Sequence, residues 1–243
     1  MKMRVFLSVI LWAWVLTVGA KNIEPRFDGK KITNDVFWNT AEGMPLYSQG
    51  GGIFRYPDPD TGRLRYYWYG VRYAEAVRYR EDPSVTYPAC TFEAVTCYSS
   101  DDLINWYYEG DVLTREEVDR YGRAGWVGRM GVAYLEAWNQ YVLVVQHDNG
   151  VLFALSHTPN GRFTWHRRIT MEKIIGTPNT GDQTVFVDED TRKPYLIYSY
   201  GRGRNRIYVS EIGIRDGQVD LLDCTQVFKG AGREGNCLFK YEG

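Results

Sequence analysis

Short runs rich in apolar residues recur along most of this chain, separated by polar stretches and cut by Gly, Pro, Asp and Asn. Gly52 to Tyr56 is one such run, followed by the turn Pro57-Asp58-Pro59-Asp60-Thr61-Gly62 and then the aromatic run Arg65 to Gly70. Beyond a polar insertion come Ala94 to Ser100 and Tyr107 to Glu109, joined by Asp102-Leu103-Ile104-Asn105-Trp106. Short runs of this kind, rich in aromatic and β-branched residues and bounded by turn formers, predict antiparallel β-strands. No segment carries an apolar stripe of helical period over a useful length.

The same order recurs. Met130 to Tyr134, Tyr141 to Val145 and Val151 to Ser156 lead to Phe163-Thr164-Trp165, and Thr184 to Val187, Pro194 to Tyr198 and Arg206 to Ser210 repeat the series. Gly235 to Tyr241 reads as the first strand of a fourth round. A period of about 50–80 residues with three or four strands per round is the signature of propeller blades. The expected fold is therefore all-β, a β-propeller of about three blades plus the first strand of a fourth. A twisted β-sandwich is the rival, but it gives no reason for the repeated strand order. Because blades bury their faces against neighbours and the ring normally closes, the chain reads as C-terminally truncated.

Composition adds a compartment. The first twenty residues pair a basic start (Lys2, Arg4) with the apolar run Val5 to Val18 and small residues before Lys21. That is the pattern of a signal peptide at 1–20, ahead of a partial propeller domain at 21–243, and it implies a secreted or periplasmic protein with no membrane attachment after cleavage. Export permits disulfides among Cys90, Cys97, Cys224 and Cys237, with the pairing left open. A formal net charge of −1 points away from nucleic acid as a partner. Aromatic residues reach 15%, with 19 Tyr and 8 Trp, which suits a β-rich core and also a cleft that stacks sugar rings.

The ordered set Trp38-Asn39-Thr40-Ala41-Glu42-Gly43, Gln49-Gly50-Gly51-Gly52-Ile53, Tyr66-Tyr67-Trp68-Tyr69-Gly70, Tyr98-Ser99-Ser100-Asp101-Asp102-Leu103-Ile104-Asn105-Trp106, Asp182 to Asp190 and Arg233 to Tyr241 resembles the family 43 glycoside hydrolases, in particular their exo-β-1,3-galactanase-like branch. The resemblance implies a five-bladed propeller that hydrolyses O-glycosidic bonds of galactan, arabinan or xylan by an inverting acid/base mechanism. It implies a polysaccharide or oligosaccharide partner and neither cofactor nor metal. It also implies roles: Glu234 as general acid, Asp182 as the carboxylate that tunes it, and Arg129, Gln49 and Trp68 as substrate-binding residues. Inverting hydrolysis needs a carboxylic acid for the leaving oxygen and a second group that activates water.

Three positions depart from that branch. Ser48-Gln49 stand where Ala-His is usual, Val71 follows Gly70 where Glu is usual, and Gly128-Arg129 replaces a Glu-Arg pair. These departures favour a rival reading, a non-catalytic carbohydrate-binding propeller, and the incomplete ring allows a third, an inactive gene fragment. Other chemistries lack their patterns. His147, His157 and His166 have no zinc spacing, no Gly-x-Ser-x-Gly elbow occurs, and the Gly50-Gly51-Gly52 run enters a strand rather than a helix, unlike a phosphate loop. Asp188 and Asp190 read as a hairpin turn, and Arg202-Gly203-Arg204-Asn205 as a solvated basic turn.

Overall fold

A computed structural model describes residues 31–123, 125–230 and 232–241. The leader expected at 1–20 lies outside the described residues. The first sheet holds β1 (Gln49–Pro57), β2 (Leu64–Tyr73), β3 (Phe92–Ser100) and β4 (Tyr107–Thr114). The second holds β5 (Val127–Leu135), β6 (Gln140–His147), β7 (Gly150–Ser156) and β8 (Thr164–Ile169). The third holds β9 (Thr180–Val187), β10 (Pro194–Tyr200), β11 (Arg206–Arg215) and β12 (Gln218–Lys229). Each sheet is an antiparallel meander in chain order. The α-helices are short: α1 (Ala76–Glu81), α2 (Arg115–Asp119) and α3 (Glu172–Ile175). The three rounds read from the sequence are therefore three four-stranded blades, and the sandwich is set aside.

Each blade starts with its inner strand. β1, β5 and β9 contact one another around a common axis, and Phe54 on β1 packs against both core clusters of the molecule. Tyr56 locks two of these strands by donating its hydroxyl to the Val132 carbonyl at 2.7 Å. Burial pushes the Tyr56 hydroxyl far above its ordinary range, so it stays a donor.

The middle blade explains why its strands read as unbroken apolar runs. On β6, Tyr141, Leu143 and Val145 face the first blade, while Val142 and Val144 face the third. On β7, Leu152 and Ala154 take the first side, and Val151 and Phe153 the other. Side chains alternate between faces along a strand, and here both faces are covered, so polar alternation has no place.

The free face of the first blade is covered by its own N-terminal segment. Trp38 and Trp106 pack edge-on against Trp68 with ring centroids 5.8 and 5.2 Å away. The Tyr47 N–H donates to the Tyr98 hydroxyl at 3.0 Å, and Thr96 Oγ1 donates to the Tyr47 carbonyl at 2.7 Å. All four cysteines are free thiols: Cys97 is buried in the core, while Cys90, Cys224 and Cys237 are exposed.

The hairpin turns carry the repeat at atomic detail. Asp58 Oδ1 accepts N–H bonds from Asp60 and Thr61, and Asp188 Oδ1 accepts the same two bonds from Asp190 and Thr191. Asp188 and Asp190 are turn residues, as their sequence context implies. The β11–β12 hairpin turns on Asp216 and Gly217 with φ of 52° and 71°, the left-handed pair that a tight hairpin requires. Gly217→Ala is expected to lower stability by about 1–2 kcal/mol, the cost of placing a Cβ in that region. Nothing else crowds the position, so an unchanged urea midpoint would mean that the strain is absent.

One expectation needs correction. Residues 235–241 form no strand. They nonetheless run beside β9 in its own direction. Gly235 bonds to Asp182 near the start of β9, and Lys240 pairs with Asp188 and Asp190 just past its end. The segment occupies the place of a fourth inner strand, but an inner strand takes its ladder bonds from the next strand of its own blade. Among the described residues no such strand is present, so the backbone stays irregular.

Candidate functional site

The inner strands begin at one end of the propeller, and the chemistry collects there. Asp182 is the third residue of β9 and is only 9% exposed. Its Oδ2 accepts the Gly235 N–H at 2.7 Å and faces Arg129 Nη2 at 3.4 Å. Its carbonyl accepts from Asn236 Nδ2 at 3.2 Å and from Ser199 Oγ at 3.4 Å. Asp182 thus fastens the segment after β12 onto the start of the third blade.

That fastening places Glu234. Its carboxylate is exposed and pairs with the Arg204 guanidinium. Arg204 sits in the β10–β11 turn with φ 45°, and its carbonyl accepts the Arg233 N–H at 3.1 Å. The partner of Glu234 is therefore Arg204, not the neighbouring Arg233. The basic turn at 202–205 is also not merely solvated, because it braces the carboxylate segment.

Arg129 is held on both sides of its backbone. Its N–H donates to Gln146 Oε1 and its carbonyl accepts from Gln183 Nε2, each at 3.3 Å. Gln146 is buried and donates Nε2 to the carbonyls of Thr180, at 3.0 Å, and Gly181. Two buried glutamines thus stitch β5 to β9 just behind the Arg129–Asp182 pair. The start of β5 is anchored by Tyr73, whose hydroxyl donates to the Val127 carbonyl at 2.6 Å. Burial, helped by Cys90, pushes that hydroxyl up to about 12, so it remains a donor at neutral pH.

Gln49 opens β1 and is exposed at the same end. It is followed by Gly50, whose φ of 68° excludes most side chains and which packs on the Arg129 stem, 3.5 Å from a Cβ placed there. Arg129 and Asp182 are therefore in contact, and Gln49 and Glu234 are the chain neighbours of Gly50 and Gly235, which lie against them. Trp68 is not among them: its ring lies in the Trp38–Trp106 cluster on the far face of the first blade. Strand alternation decides this, because Tyr67 and Tyr69 took the inter-blade face and left Trp68 the opposite one. Val71 shares their core cluster and is buried, so nothing polar stands at that position.

The sequence reading missed Trp126. A side chain at Gly128 would start 2.1 Å from the Trp126 ring, so the indole fills the space where the resembled branch carries a glutamate. The signal was present as a Trp two residues ahead of a glycine at the start of an inner strand. Two surface depressions lie elsewhere. One, of about 390 Å³, is lined by Asp58, Arg65 and Asp101, and another, of about 310 Å³, by Thr177, Asn179, Tyr200 and Arg202. The second adjoins the start of β9. Among the described residues no three His, Cys, Asp or Glu side chains converge as a metal site.

No protein-family model and no curated protein matches the chain. Solved structures do. An exo-β-1,3-galactanase from Clostridium thermocellum superimposes with a TM-score of 0.67 at 27% identity, over 87% of this chain and 44% of its own. A family 43 β-1,3-galactosidase solved with galactodeoxynojirimycin gives 0.66 at 22% identity, over 87% of this chain and 71% of its own. An exo-β-1,3-galactanase from Phanerochaete chrysosporium solved with galactose gives 0.61 at 22%, over 84% and 43%. The chain thus spans less than half the length of two of these three proteins. The three described sheets match propeller blades of family 43 glycoside hydrolase structures, among them exo-β-1,3-galactanases and a β-1,3-galactosidase.

Proposed function

We propose that this chain is part of a glycoside hydrolase that removes galactose-type sugars from the ends of β-1,3-linked galactan by an inverting acid/base mechanism. The observation that carries this reading is the convergence of Asp182 and Glu234 at the mouth of the inner strands, in a fold similar to that of a galactanase. Glu234 is the proton donor to the leaving oxygen, and Asp182 is the carboxylate that holds the donor segment through the Gly235 N–H. To donate, Glu234 must leave the Arg204 guanidinium, so the Arg204 pair is a resting position that the entering sugar replaces. Arg129 offers a planar fork of donors to sugar hydroxyls, and Gln49 offers an amide. The basic and apolar opening of the chain supports export, where a polysaccharide substrate is met.

A second reading, a non-catalytic galactoside-binding propeller, is favoured by one observation: the starts of β1 and β5 carry Gln49 and Gly128-Arg129, with no carboxylate, and the Gly128 site is covered by Trp126. One experiment separates them. The protein is incubated with β-1,3-galactotriose, with binding followed by calorimetry and product by proton NMR. Release of α-galactose as the first product supports the hydrolase. Binding without release moves the protein to the second reading, and neither binding nor release overturns both.

A further inference from the structure

We propose that the Trp126 indole is the stacking platform of this site, carrying the apolar face of a galactose-type ring at the mouth of the inner strands. The inference rests on the galactoside reading above and names the residue that selects the sugar. Trp126 is 44% exposed, yet it is held more firmly than an exposed loop residue needs to be. Its N–H donates to Asp148 Oδ1 at 2.8 Å, and its carbonyl accepts the Asp148 N–H at 3.0 Å. The loop before it turns at Gly125 with φ 56°, where the Asp148 carboxylate approaches so closely that a Cβ would lie 1.7 Å from it. The ring itself lies on Gly128, and any larger residue there would push it away.

The floor under the ring is continuous with the charged cluster. Gln146 Oε1 lies 2.9 Å from the position of a Cβ at Gly128 and accepts the Arg129 N–H at 3.3 Å. Arg129 in turn faces Asp182 at 3.4 Å. A sugar ring laid on Trp126 therefore has the adjoining Arg129 and Asp182 groups on hand for its hydroxyls. Pre-set aromatic surfaces bind with little loss of conformational freedom, and a small number of polar groups beside an apolar surface sets orientation. Galactose suits this surface better than glucose. Its axial 4-hydroxyl leaves the opposite side of C3, C4, C5 and C6 as one uninterrupted apolar patch.

The test compares wild type, Trp126→Ala and Trp126→Phe by calorimetry with galactose, β-1,3-galactotriose and glucose, together with tryptophan fluorescence. Trp126→Ala is expected to weaken galactoside binding about tenfold or more, a scale set by aromatic contacts plus buried area. Trp126→Phe is expected to stay within about threefold of wild type, and glucose to bind more weakly than galactose throughout. The emission shift on binding should vanish in Trp126→Ala. Since Asp148 contacts only the backbone of residue 126, melting temperature should hold, which separates stacking from misfolding. If wild type binds galactosides and Trp126→Ala binds them equally well, the platform is wrong while the galactoside reading stands. If wild type binds none, the galactoside reading fails and takes the platform with it.

Discussion

Glu234→Gln is expected to slow galactose release from β-1,3-galactotriose by about 10²–10⁴-fold, the usual contribution of a positioned general acid. The amide keeps the shape of the side chain but has no proton to give. A sugar leaving group needs that proton, because an expelled alkoxide is a very poor leaving group. A 4-nitrophenolate does not need it. The same variant should therefore lose far less on 4-nitrophenyl β-galactoside than on the trisaccharide. Initial rates on the two substrates, for wild type and variant, make the comparison. Equal losses on both would assign Glu234 to folding or binding, and no loss on either would remove it from the reaction.

The geometry adds a condition to that outcome. Glu234 rests against Arg204, and its segment is fixed by the bond from Gly235 to Asp182. The proposed acid is thus carried by an irregular strip of chain, with its anchor on β9 and its brace in the β10–β11 turn. Asp182 is nearly buried while Glu234 is open to solvent. That division suits a buried carboxylate that positions and an exposed one that donates.

Much of this architecture was legible in the chain, and the reasons are specific. The Asp58 and Asp188 turns repeat because the same local bonds close the same hairpin in two blades. The unbroken apolar run of β6 marks a blade covered on both faces. Asp182 and Glu234 lie 52 residues apart in the sequence, and only their place in successive rounds suggested that they meet. What failed to show was whatever depended on which face won. Trp68 and its tyrosine neighbours are chemically alike, and only the packing of the first blade against the second decides which ring points to the core. Arg204 looked like any basic turn because its partner arrives from beyond β12. Trp126 escaped notice because its role is set by an absent side chain at Gly128. Residues 235–241 carry the apolar run Cys237-Leu238-Phe239 of a strand, but apolar residues supply no hydrogen bonds, and a strand exists only with a partner.

Leu143→Ala is expected to cost about 2–5 kcal/mol, the range for emptying a closed aliphatic site. Leu143 sits at the centre of β6, fully buried, between Val132 on β5 and Ala154 on β7 in the ladder. Its side chain belongs to the core shared by the first two blades, with Tyr56, Tyr141 and Val145. The two tyrosines are tied in place and do not collapse into the gap. Tyr56 is tied to Val132 by its hydroxyl, and its ring meets the Tyr141 ring edge-on at 5.0 Å. A domain of this size loses about 2–4 °C of melting temperature per kcal/mol, so the shift should exceed that of Gly217→Ala, which strains a turn and opens no cavity. The two variants therefore rank the sources of stability. If Leu143→Ala melts no lower than Gly217→Ala, the blades are held by their ladders and turns, and the shared core contributes little. If it melts far lower, inter-blade packing holds β1, β5 and β9 together, and with them the end of the inner strands where Arg129 meets Asp182.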